Sequence, residues 1–153
     1  MEPVREFLES AKWAHAKAAR LSRKIEQLTT QVEHITPSYS GMPGGGSTDV
    51  SAAWAALAQL RSEYMEEIVL AERREKEVSD FINSLPIPEH RAVLLFRYCD
   101  GLRWPSVIEA MQGAGYYYSD RQVFRLHGRA LSSAREKWRE FSLGGTMAEN
   151  TGA

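Results

Sequence analysis

The chain has 153 residues, of which 43% are apolar and 25% charged, and a formal net charge of -1. That is the balance of a globular protein with length for one domain or two small ones. One cysteine, Cys99, excludes an intramolecular disulfide and a multi-cysteine zinc site. Residues 1–7 lack a leader-like apolar run, and no segment is apolar enough to span a membrane, so a cytoplasmic protein is expected.

From Val4 onward, apolar or small residues fall at Phe7, Ala11, Ala14, Ala18, Leu21, Ile25, Leu28, Val32 and Ile35. These alternating steps of three and four predict a long helix with a heptad seam. Pro37 ends it, and a Ser- and Gly-rich connection over 36–49 follows. A second long helix, capped by Thr48 or Asp49, carries Val50, Trp54, Leu57, Tyr64, Ile68, Ala71, Val78, Ile82 and Leu85 at near-heptad spacing. Arg61 and Glu75 interrupt its seam. Two such helices, each on the order of 50 Å long at about 1.5 Å per residue, predict an antiparallel coiled-coil hairpin over 1–85. A lone hairpin buries little, and its small seam residues invite close approach, so a homo-oligomer through these helices is expected.

After Pro86 and Pro88 the pattern shortens to three helices, expected over 86–141. The first carries Ala92, Val93, Leu94, Leu95, Phe96, Tyr98 and Cys99 and ends at Asp100 and Gly101, glycine suiting the left-handed position beyond a helix. The second begins at Pro105 and buries Val107, Ile108 and Met111. The third opens Ser119, Asp120, Arg121, Gln122, where Ser with Gln three residues on is a capping box. It extends through Ala134 and Trp138 to Phe141, and the tail 142–153, rich in small and polar residues, is expected to be disordered.

On the third helix Val123, Leu126 and Ala130 share the core phase, leaving Arg121, Gln122, Arg125 and Arg129 outward. Residues 1–85 carry 10 basic against 13 acidic groups, and residues 86–141 carry 9 against 6, so the basic excess accompanies this helix. Arg121, Arg125 and Arg129 stand four apart on one stripe, where like charges repel unless an anion compensates. A three-helix unit with a basic last helix is the pattern that places that helix in the major groove of DNA. Arginine can take guanine and glutamine adenine, so Arg121, Gln122 and Arg125 are the candidate base readers. Ser119, with the helix N-terminus, and Arg129 are candidate phosphate contacts.

Tyr116, Tyr117 and Tyr118 precede the cap. Tyr118 suits a hydrophobic staple as well as a strand contact; Tyr116 is kept as a DNA-contact candidate. His127 is either packed or within reach of a phosphate, and Trp104 and Trp138 are expected in the core. The glycines near Gly44 lack the Lys and Ser or Thr of a phosphate loop, the four histidines lack a zinc spacing, and Glu66 and Glu67 are adjacent on a helix and do not face each other. An enzyme, a metal site and a cofactor are therefore not expected.

The run Leu94, Leu95, Phe96, Arg97, Tyr98, Cys99, Asp100, Gly101, followed by Trp104, Val107 and Ile108, resembles the promoter-reading C-terminal domain of bacterial sigma factors. Arg121-Gln122-Val123, Arg125-Leu126-His127-Gly128 and Ala130-Leu131 resemble phage and prophage proteins of Gram-positive bacteria, akin to ArpU-type and RinA-type late-gene regulators. Phe7-Leu8-Glu9, Ala11-Lys12-Trp13 and the loop Met42-Pro43-Gly44 extend the likeness. The resemblance implies a transcription regulator that binds phage or prophage duplex DNA and touches RNA polymerase. The segment 112–118 is longer than that family's tight turn. The expected fold is thus all-α, a helical hairpin followed by a sigma-like helix-turn-helix. The alternatives are a DNA-packaging recognition subunit, with the long helices building a ring, and a polymerase-binding adaptor.

Overall fold

The computed structural model describes residues 2–35 and 46–151, with side chains undescribed at 35, 46–49 and 144–151. The described residues are all-helical, without a strand. Helix α1 spans Pro3–Ile35, α2 Gly46–Asn83, α3 Pro88–Leu94, α4 Trp104–Gly113 and α5 Asp120–Thr151, and a π-helical turn, Leu95–Cys99, continues α3. No described helix is long and apolar enough to cross a membrane. Pro37, the glycine run and the Met42-Pro43-Gly44 loop lie outside the described residues. Helix α2 starts at Gly46, before the caps expected at Thr48 or Asp49. The backbone of α5 stays helical to Thr151, past the end expected at Phe141 and through most of the tail expected to be disordered.

The chain divides into two compact units, and the division does not follow residues 85 and 86. One unit joins Met1–Lys12 to Arg74–Ala153; the other is Trp13–Arg73. The first turns of α1 therefore belong with the short helices.

In the Trp13–Arg73 unit, Ala18 and Val32 of α1 and Val50, Leu57 and Ala71 of α2 are buried. Val50, Leu57, Tyr64 and Ala71 recur every seven residues, so one line of α2 stays inward, as the heptad spacing predicts. Lys17 and Glu67 form an ion pair at 2.9 Å. Trp54 departs from the seam its spacing predicts and is 47% exposed. Arg61, seven residues on along the same line, is likewise exposed and carries a charge that favours water, so this stretch of the line turns outward, although Ile82 further along it is buried.

In the other unit, Val4, Leu8 and Ala11 of α1 join Val78 and Ile82 of α2, and Leu85 just beyond it, in one core. Val93 and Leu94 of α3, Val107 and Met111 of α4, and Val123, Ala130 and Ala134 of α5 complete it. Leu8, which lies off the predicted seam line, is fully buried. Phe7 packs on Trp138 at 4.9 Å and edge-on to Phe81 at 5.5 Å. Glu2 pairs with Arg135. Aromatic pairs of this kind contribute about 0.5–1.5 kcal/mol beyond the area they bury.

Pro88 lies in the first turn of α3 and Pro105 in that of α4, where a missing amide hydrogen costs nothing. At the far end of α3 the backbone widens: Asp100 N donates to Leu95 O at 2.9 Å, the five-residue step of a π-helix. Gly101, at φ +66°, then takes the left-handed position expected of it.

Candidate nucleic-acid interface

The long turn between α4 and α5 is folded back on itself. Tyr116 N donates to Met111 O at 2.8 Å, and Gly115 at φ +94° reverses the chain where a side chain would be strained. The rings of Tyr116 and Tyr118 stack with centroids 6.2 Å apart and planes within 11°, both half-buried against the core. Tyr117 projects outward and is 82% exposed. The extra length is thus taken up by two packed rings and one free ring. Tyr118 packs, as a staple would; Tyr116, kept as a DNA-contact candidate, packs beside it.

Helix α5 opens on the capping box read from the sequence. Ser119 N donates to Gln122 Oε1 at 2.8 Å, and Gln122 N donates to Ser119 Oγ at 3.3 Å. The cap occupies one lone pair of the Gln122 oxygen and leaves the amide NH2 free to donate. Beyond it, Val123, Leu126, Ala130 and Ala134 are buried, while Arg121, Gln122, Arg125 and Arg129 are exposed. The sequence-predicted readers therefore lie together on one face.

Several basic residues of this unit have side-chain partners within it, while others, Arg103 and Arg139 as well as the arginines of α5's stripe, have no ion pair or side-chain hydrogen bond among the described residues. Arg91 donates to Leu85 O at 2.6 Å, Arg97 donates to Leu102 O at 2.9 Å, Arg135 pairs with Glu2, and Lys137 lies 3.6 Å from Glu140. Arg121, Arg125 and Arg129 make no ion pair or hydrogen bond among the described residues. The stripe is uncompensated within the unit.

The face is braced from behind by groups the sequence analysis did not connect. The Arg97 guanidinium lies 4.7 Å over the Trp104 ring, which meets Phe124 and His127 edge-on at 5.0 and 4.7 Å. Trp104 packs on the core, as expected. Tyr98 Oη lies 2.9 Å from His127 Nε2. Burial, with help from the charges of Arg5 and Arg97, pulls the His127 pKa down to about 4. His127 is therefore neutral at neutral pH and packed, the first of its two expected readings. Phe124, outside the core phase of its helix, is 48% exposed beside the arginines.

On the other edge of the stripe, Glu89, His90, Tyr118, Gln122 and Arg129 line a pocket of about 330 Å³. His90 is buried, its Nδ1 has no hydrogen-bond partner, and burial lowers its pKa. Among the described residues no His, Cys, Asp and Glu cluster is arranged to hold a metal. Burial also raises the Cys99 thiol, reinforced by Glu75 and Asp100, to about 11. No protein-family model, curated protein or solved structure matches the chain.

Proposed function

We propose that this chain is a sequence-specific, duplex-DNA-binding transcriptional regulator of phage or prophage type, with α4 and α5 as a sigma-like helix-turn-helix and the start of α5 in the major groove. The observation that carries the reading is the stripe of Arg121, Arg125 and Arg129, exposed and unpaired among the described residues. Guanidinium groups four residues apart repel one another, and phosphate and base-edge acceptors relieve that repulsion. In this reading Arg121 and Arg125 take guanine edges and the Gln122 amide takes adenine. Arg129 and the Ser119 end of α5 hold phosphates. Tyr117, more exposed than Tyr116, faces the sugar-phosphate strand.

In the same reading α1 and α2 pair as an antiparallel hairpin, and the hairpin joins copies of the chain. Met65, Val69 and Leu70 support this: they are 60%, 51% and 51% exposed on α2, an apolar patch that a second copy would cover. Light scattering at micromolar concentration is expected to give an oligomer; monomer alone would remove this part. RNA polymerase is a further proposed partner, through the likeness of 94–101 to the sigma domain.

Selection of bound sequences from a random duplex pool tests the main reading. One enriched motif is expected, with affinity falling in salt at a log-log slope of about -0.9 per phosphate neutralised. Arg121→Ala should relax base preference, while Arg129→Ala weakens all sequences alike. A pool that enriches nothing would overturn it.

A further inference from the structure

We infer that Phe124 reads a thymine. This rests on the proposed placement of α5 in the major groove and names one base the arginines do not. Phe124 lies on the outward side of α5 between Arg121 and Arg125 in sequence and is 48% exposed. Its other side is held edge-on against Trp104 at 5.0 Å, and Trp104 is fixed in turn by Arg97 and His127. A ring held in this way presents a rigid apolar surface, with little side-chain freedom left to lose on binding.

The approach to that ring is open. Gly128, one turn further along α5, is exposed, and a Cβ added to it would meet nothing within 4 Å. Glycine inside a helix costs about 0.5–1 kcal/mol against alanine, and internal packing does not ask for it here. Its missing side chain leaves the outward face beside Phe124 low enough for another surface to come close.

Chemistry then restricts what Phe124 can recognise. A phenyl ring offers no hydrogen bond, and among the groups on the major-groove floor one is apolar, the C5-methyl of thymine. Guanine and adenine present acceptors there, which the neighbouring Arg121, Gln122 and Arg125 are equipped to meet. Phe124 thus supplies the discrimination that those three side chains lack.

The test uses the full chain and the duplex it selects from a random pool, prepared once with thymine and once with deoxyuridine at every thymine. Uracil pairs as thymine does and lacks only the methyl. The wild-type protein is expected to bind the deoxyuridine duplex about fourfold more weakly for each methyl contacted, the ratio set by about 0.8 kcal/mol per buried methyl-sized group. Phe124→Ala is expected to bind both duplexes equally, and Phe124→Gln, should the alanine variant fold poorly, to do the same. Equal binding of the two duplexes by the wild type overturns the inference while leaving the DNA-binding reading intact. A difference that persists undiminished in the Phe124 variants overturns it too, since another residue would then be meeting the methyl. A pool that enriches no sequence removes the reading on which the inference rests.

Discussion

Tyr98 Oη and His127 Nε2 lie 2.9 Å apart, and this contact fastens the π-helical turn to α5 behind its arginine face. The wider π turn puts the buried Tyr98 and the Trp104-facing Arg97 on the same short segment. Both residues therefore steady the helix proposed to meet DNA without facing DNA themselves.

The first prediction concerns acid. His127 has a folded pKa of about 4 against an ordinary value of about 6.5. Between these values the unfolded chain binds the proton and the folded chain does not, so stability is complete above about pH 6.5 and falls as pH drops towards 4. The loss should reach about 3 kcal/mol by pH 4, with His90, also depressed by burial, adding in the same direction. Urea melts across this range are expected to show a flatter pH dependence for His127→Gln than for wild type. An equal slope in both would exclude His127 as the group responsible.

Leu8 lies at the start of the chain but is fully buried in the unit that contains α5. Leu8→Ala should destabilise that unit by about 2–5 kcal/mol, the usual cost of such a truncation in a core. Thermal melts would measure it; a change within about 0.5 kcal/mol would show that the contact contributes little.

The cap of α5 offers a smaller effect. Ser119→Ala removes the hydroxyl that accepts from Gln122 N and should cost about 1 kcal/mol. Ser119→Asp should recover most of it by accepting the same amide. Chemical denaturation of the three proteins separates these outcomes.

Gly128→Ala should act in opposite directions on fold and binding. The added methyl meets no neighbour, so the helix gains about 0.5–1 kcal/mol and the melting temperature rises. DNA affinity is expected to fall, because the methyl stands on the face proposed to approach the duplex. A variant with raised stability and unchanged affinity would remove Gly128 from that face.

Cys99 should be inert to alkylation in the native protein near neutral pH. Its thiol, raised to about 11, carries almost no thiolate there. Mass spectrometry after iodoacetamide treatment, native against urea-unfolded, checks this; equal modification rates would contradict it.

The features carried by local rules were legible in the sequence. The capping box at Ser119 and Gln122, the left-handed Gly101, the heptad line through Val50, Leu57 and Ala71, and the outward arginines each depend on residues within a few positions of one another. What was not legible depends on partners distant in the chain. Periodicity places Phe7 in a continuous seam and leaves Leu8 off it, because it gives a face and not its partner; Phe7 in fact meets Phe81 and Trp138, and Leu8 is fully buried. Trp54 was placed inward by spacing, although its line also carries Arg61. The π-helical turn leaves no periodic signature over five residues. Of the three turn tyrosines, the inward and outward rings could not be told apart until Gly115 had fixed where the chain reverses.

The unit bearing α5 is built from two stretches of chain, and the residues between Lys12 and Arg74 form a unit of their own. In topological terms the pair of long helical segments is an insertion, entered from α1 and left along α2. Adding or removing a matched heptad in both segments changes the length of that insertion while preserving the phase of each buried line. The insertion is thus adjustable in length, and the unit bearing α5 can keep its own core at any such length.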